Sequence, residues 1–175
     1  MKAGKIIAVV ATALAAYGNA REFVQSPDCA GMDRAALPTV ELEILLPPRR
    51  ATITVEVAQT PTRHAQGLMC REDEGAAMLF VFDAEALRSF WMFNTFIALD
   101  VIYLDADREP VAAMTMQPCP RPQGASNSDW QAQCQEASSS YTSNVPARYA
   151  IELPAGWLAE RGLPLDRVAS MRFRW

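Results

Sequence analysis

Lysine is almost missing from this chain: Lys2 and Lys5 are the only two. A chain beginning at residue 21 would have none, which excludes a Schiff-base lysine and a P-loop lysine. Histidine is scarcer still, with His64 alone, so a multi-histidine metal site cannot be assembled. Positive charge is in deficit. Without the two lysines, fourteen arginines against twenty acids leave a net charge of about −6, which argues against a nucleic-acid backbone as partner. The apolar run Ile6 to Ala16 is too short to span a bilayer. No Cys-x-x-Cys, no Gly-x-Ser-x-Gly and no internal repeat occurs, which removes the usual signatures of a redox dithiol and of a serine hydrolase.

What is present begins with an export pattern. A basic start (Lys2, Lys5), the short apolar run, and small residues at Gly18 and Ala20 read as a secretory signal over residues 1–20. The expected mature protein is periplasmic or secreted, with no membrane association after cleavage. Residues 21–38, with Pro27, Gly31 and Pro38, read as a flexible lead, and residues 39–175 as one domain. In an exported chain the four cysteines favour disulfides over thiol chemistry. Cys119 with Cys134 is the favoured pair, because the segment between them is rich in Pro, Gly, Ser and Gln and has no apolar period of its own. That leaves Cys29 and Cys70, either as a bridge that would pin the lead to the body or as two free thiols.

Short apolar-alternating runs dominate the domain. Val40–Leu46 and Ala51–Val57 flank Pro47-Pro48-Arg49-Arg50 as an expected hairpin. Thr60-Pro61 starts a short helix that Gly67 stops. The centre is Met78–Phe82, a turn-like Asp83-Ala84-Glu85, Phe90–Thr95 and Leu99–Asp105, read as buried neighbouring strands. Val111–Met116, Tyr149–Leu153 and Val168–Trp175 read as further strands, Pro154–Gly162 as a second short helix, and Pro118–Pro146 as a long loop and natural lid. The expected fold is mainly β: an antiparallel β-sandwich or barrel-like sheet with two short helices.

Four ordered motifs carry a family resemblance. They are Arg63-His64-Ala65-Gln66-Gly67-Leu68-Met69-Cys70-Arg71, Met78-Leu79-Phe80-Val81-Phe82, Trp91-Met92-Phe93-Asn94-Thr95 with Leu99-Asp100-Val101, and Tyr149-Ala150-Ile151-Glu152-Leu153 with Ala155-Gly156. On these the chain resembles the DUF192 family of uncharacterised, often exported bacterial and archaeal proteins, over roughly Ile53 to Val168. Phe93, Ala98 and Ala77 stand where the family usually has lysine, proline and glycine. The resemblance implies a mainly β, sandwich-like domain and no particular activity.

The candidate site is a polar set within this apolar surround: Arg63, Arg71, Trp91, Asn94, Thr95 and Asp100. An arginine fork, an amide, a hydroxyl and a carboxylate beside an indole suit a small polar ligand, a saccharide or a carboxylated fragment. In that arrangement Arg71 and Asn94 touch the ligand, Asp100 orients the arginine and Trp91 stacks. The same residues also fit turns and core. Three other classes are open. One is a carboxylate-based hydrolase of an envelope saccharide, with Asp100 paired to Asp105, Glu152 or Glu72. Another is copper handling by Met114, Met116, Met69, Met78, Met92 and His64. The last is a protein-interaction module whose anchors, Trp130 and Tyr141, should be exposed. No cofactor is expected, and His64 reads as exposed on a polar helix.

Overall fold

The computed structural model describes residues 27–32, 35–71 and 75–175. The expected signal segment, the first part of the lead and Glu72 lie outside these residues. Seven strands form one sheet in the order β5-β4-β6-β3-β2-β1-β7, with β1 Thr39–Leu46, β2 Arg49–Ala58, β3 Met78–Ala86, β4 Leu99–Leu104, β5 Pro110–Met116, β6 Ala147–Pro154 and β7 Arg172–Arg174. Three α-helices accompany it: α1 Pro27–Ala30, α2 Pro61–Gln66 and α3 Asn127–Ala137.

The expected hairpin is β1–β2, in register from Thr39↔Glu56 to Leu46↔Arg49. The expected short helix is α2, with the Thr60 side chain accepting from the Arg63 N–H and Pro61 at its start. The all-antiparallel expectation fails at one seam: β2 and β3 run parallel, Glu56↔Met78 to Ala58↔Phe80. A parallel neighbour needs a crossover, and α2 lies within it, so the sheet is mixed. The sheet is also single and curled rather than two stacked sheets. Its ends approach through Arg172 to Glu109 at 3.1 Å and the Arg108 guanidinium 4.1 Å above the Trp175 ring.

The central reading is corrected in three places. Asp83-Ala84-Glu85 is no turn: β3 runs through it to Ala86 with its last four residues exposed. Phe90–Thr95 is not a strand but part of an irregular crossing to β4. The strands β3 and β4 are not neighbours, because β6 lies between them. A buried apolar run looks alike in a strand and in a well-packed loop, which is why pattern misled here. The second expected helix is two glycine-punctuated turns followed by a 3-10 turn, Ala159–Arg161. A 3-10 segment, Leu165–Ser170, takes the start of the expected last strand. The expected lid folds around α3, capped by the Ser126 hydroxyl at the Asp129 N–H.

Both faces of the sheet are apolar. On the concave face Leu42, Ile44, Val55, Leu79, Ile102, Ile151, Leu153, Leu158, Met171 and Phe173 form one core. On the outer face Met78, Phe80, Val101, Tyr103 and Ala150 form a second, covered by α1, the 68–70 turn, residues 90–97 and α3. The covering layer has little regular structure, and two disulfides fasten it, Cys29–Cys70 and Cys119–Cys134, with Cα separations of 5.6 and 5.8 Å. These are the expected pairs, and no cysteine is free. Closing a loop the length of 119–134 stabilises by about 3 kcal/mol on chain-entropy grounds. The Cys119→Ala/Cys134→Ala double variant is therefore expected to lose about that much stability in a urea melt.

Candidate functional site

The sequence-selected residues do not converge. Asp100 alternates with Val101 and Tyr103 and so faces the concave side with Ile102 and Leu104. It is 4% exposed, accepts from Thr115 Oγ1 at 2.6 Å, its β5 partner, and from the Gly156 N–H at 3.0 Å. It ties β4 to β5 and to the turn after β6, and it does not orient Arg71. Arg71 instead forks onto Glu56, with Nη1 3.2 Å from Oε1. Arg63 donates to Gln66 Oε1 at 2.8 Å. Both arginines line a small cleft of about 100 Å³ with Met32, Leu37, Gly67 and Met69.

Asn94 and Thr95 are loop-closing residues. Asn94 is buried at φ +54°, a left-handed conformation that asparagine adopts readily, and its carbonyl accepts from the Cys70 N–H at 2.7 Å. The Thr95 N–H reaches the Met92 carbonyl at 3.2 Å. Trp130 is fully buried, donating Nε1 to the Cys119 carbonyl at 2.8 Å and packing 4.6 Å from the Phe93 ring, so it is a support and not an exposed anchor. Met69, Met78, Met92 and Met116 are buried in the outer core, with Met114 packed against it.

Only Trp91 lines the larger cleft, of about 410 Å³. The cleft opens where β3 leaves β6: pairing stops at Val81↔Tyr149 and resumes at Ala86↔Ala147. Phe80 and Phe82, two residues apart on β3, turn to the same side there. Phe90 meets Phe80 edge-to-face at 4.7 Å, His64 lies 4.5 Å from the Phe82 ring, and the Arg88 guanidinium sits 3.9 Å above Phe82. Ser89, Gln135 and Ser138 supply polar groups to the lining, and Leu87, 64% exposed, stands at its edge. The far wall is held by strand-like contacts: Ser89 bridges Thr142, the Ser143 N–H donates to the Arg88 carbonyl at 2.8 Å, and the Phe90 N–H to the Tyr141 carbonyl at 3.2 Å.

Two groups in this cleft have a fixed chemistry. His64 Nε2 lies 3.1 Å from both the Ala58 and the Val81 carbonyl oxygens, so it must carry a proton to donate, and Nδ1 is the acceptor of the neutral ring. Arg88 is held by backbone carbonyls, Nε to Ala147 at 3.2 Å and Nη2 to Ala84, and partial burial lowers its pKa from the ordinary value. It faces no carboxylate partner among the described residues. His64, expected to be exposed, is partly buried, and Arg88, Phe80, Phe82 and Phe90 join it as lining residues outside the sequence-selected set. The recoverable signal was the Phe-x-Phe spacing and the Arg-Ser-Phe-Trp run of Arg88 to Trp91.

Beneath the small cleft lies Glu152, 4% exposed and flanked across the sheet by Met78 and Val101. Burial raises its carboxyl to about 8, so it is protonated at neutral pH. The same burial, with the Glu152 charge as a lesser cause, pushes the Tyr103 phenol upward.

The curled mixed sheet defines a small mainly β domain with an aromatic cleft at a sheet irregularity. The profile of DUF192, described as uncharacterized ACR, matches residues 44–170, and the chain belongs to this family. Two solved structures are similar in fold. A Sinorhizobium meliloti 1021 protein described as a candidate transcription regulator is 22% identical, with a TM-score of 0.61, over 81% of this chain and 97% of its own. A protein of unknown function from Novosphingobium aromaticivorans DSM 12444 is 21% identical, with a TM-score of 0.56, over 86% of this chain and 98% of its own. At this identity the likeness concerns the fold alone. No curated protein matches the sequence.

Two stability outcomes follow from the buried carboxyls. Asp100→Ala strands the Gly156 N–H and the Thr115 hydroxyl, and is expected to cost about 2–3 kcal/mol in a denaturant melt. The Glu152 carboxyl holds its proton more tightly folded than unfolded. Its stabilising contribution is therefore complete below about 4.5 and is lost as pH rises to about 8. Melting Glu152→Gln beside the parent from pH 4 to 9 should show the variant gaining, by on the order of 5 kcal/mol, through that window and no further above it.

Proposed function

We propose that this chain is an exported protein of the cell envelope, periplasmic or secreted, that binds a small polar ligand in the aromatic cleft. The observation that carries this reading is the concave lining itself: four aromatic side chains, Phe80, Phe82, Phe90 and Trp91, converge with His64, Arg88 and three polar side chains in a space of small-ligand size. The partly exposed rings of Phe82, Phe90 and Trp91 beside fixed polar groups are what a ligand with a flat face and hydroxyl or carboxylate groups would cover. Two disulfides support an oxidising compartment, and among the described residues no helix is long and apolar enough to cross a membrane.

Trp91 keeps the stacking role expected from the sequence. The cation passes from Arg71, which Glu56 already neutralises, to Arg88. The hydrolase reading loses its acid, because Asp100 faces away with both oxygens engaged and no carboxylate lines the cleft among the described residues. The interaction-module reading loses Trp130 as an anchor.

The test is a thermal-shift series on the oxidised protein against saccharides, cell-wall fragments, organic acids and Cu(I). A binder at a hundred times its dissociation constant stabilises by about 2.7 kcal/mol, a shift of several degrees. We expect one chemical class of organic ligand to give that shift and Trp91→Ala to remove it. A response to Cu(I) alone, or a shift that Trp91→Ala leaves intact, overturns the proposal.

A further inference from the structure

We infer that the ligand of the cleft is an acidic saccharide, a sugar carrying one carboxylate, seated with its ring on the aromatic floor and its carboxylate on Arg88. This rests on the reading of the cleft as a ligand site and specifies what the site selects.

Three features of the lining bear on the ligand, and each asks for a different part of it. The first is charge. Arg88 is fixed at Nε and Nη2 by the Ala147 and Ala84 carbonyls and braced on the Phe82 ring, yet has no carboxylate partner among the described residues. Arg71, Arg172 and Arg50 are paired with Glu56, Glu109 and Glu43, and of the arginines held by carbonyls and rings instead, Arg88, Arg108 and Arg121, it is Arg88 that lines the cleft. In a chain with a surplus of acids, a half-buried guanidinium held in place and left without a counter-charge is a site for an anion from outside.

The second feature is the floor. Trp91, Phe90 and Phe82 present aromatic surface that a pyranose covers with its apolar C–H face. The third is the polar edge. With Nε2 serving two carbonyls, Nδ1 is the nitrogen of His64 left to accept. Gln135 donates its amide N–H to Ser138 Oγ, which leaves its Oε1 as a second acceptor. The Ser89 hydroxyl donates to the Ser138 carbonyl and keeps its lone pairs. Acceptors predominate along this edge, and hydroxyl groups are the donors that match them. A simple aromatic acid would satisfy the charge and the floor but leave the edge unmatched. A neutral sugar would leave Arg88 unmatched.

The experiment is a titration of the oxidised full domain with cellobiose, a glucuronic- and a galacturonic-acid disaccharide, and phenylacetate, read by calorimetry and tryptophan fluorescence. At least one uronic disaccharide should bind about tenfold tighter than the neutral sugar, as one charge-assisted contact gives. That preference should shrink as salt rises and fall to about one in Arg88→Gln. The salt series needs no variant, so it decides the matter even where Arg88→Gln folds poorly. Equal binding of charged and neutral sugars overturns the role of Arg88 and leaves the cleft as a neutral-sugar site. Phenylacetate binding as tightly as the best uronic disaccharide overturns the saccharide assignment. No binding by any of the four overturns the inference, while a thermal shift from another class that depends on Trp91 would leave the broader ligand-site reading standing.

Discussion

A sheet with two apolar faces is the constraint on which the rest of this structure depends. Alternation gives each strand two sets of side chains, and in β4 all six residues, Leu99 to Leu104, are buried. Such a sheet needs cover on both sides. The concave side covers itself by curling, with the ends of the sheet drawn together by Arg108, Glu109, Arg172 and Trp175. The outer side cannot. Its cover comes from segments with little helix or strand of their own, and these are held by other means: Cys29–Cys70 for the lead, Cys119–Cys134 for α3, and Trp130 wedged against Phe93. Each disulfide joins a helix of the covering layer, Cys29 in α1 and Cys134 in α3, to an irregular stretch of chain, and so limits the loop entropy between them.

Buried polar groups divide along the same line. On the concave face Asp100 is satisfied by Thr115 and Gly156 and works as a three-way tie among β4, β5 and the turn after β6. On the outer face Glu152 lies between Met78 and Val101 and avoids the cost of a buried charge by keeping its proton. Asn94 sits in the left-handed region and offers its carbonyl to Cys70, so the residue that looks most like a ligand contact in the sequence is the one that closes a loop.

The hairpin β1–β2, helix α2, strands β5 and β6 and both disulfides were legible because their signals are local: period-two alternation, Thr-Pro at a helix start, an unpatterned stretch between two cysteines. The topology was not. Whether β3 pairs with β4 or with β6 depends on partners far apart in the chain, Phe80↔Ala150 and Tyr103↔Ala150, and no local pattern encodes that choice. Helix α3 was hidden for a related reason, since its buried residues are few, Trp130 and Cys134, and its sequence is otherwise polar. For the site, Trp91 was legible as an aromatic beside polar residues. Arg88 and His64 were not, because what distinguishes them is the identity of their neighbours: carbonyls for both, and for Arg88 no acid among the described residues.

The cleft occupies a place where the two sources of order meet imperfectly. Where β3 stays on β6, the covering layer lies flat on Phe80 and Tyr103. Beyond Val81 the strand swings out, and the layer cannot follow, because Arg88, Ser89 and Phe90 are bonded to residues 141–143 of the layer itself. The gap between a departing strand and a fastened layer exposes the edges of an aromatic cluster that is elsewhere sealed. Its two walls belong to different structural units, the sheet on one side and the disulfide-held layer on the other. The floor is thus as rigid as the β-core, while the wall carrying Gln135 and Ser138 is only as rigid as its cross-links, so a ligand spanning both would join the least constrained part of the domain to the most constrained.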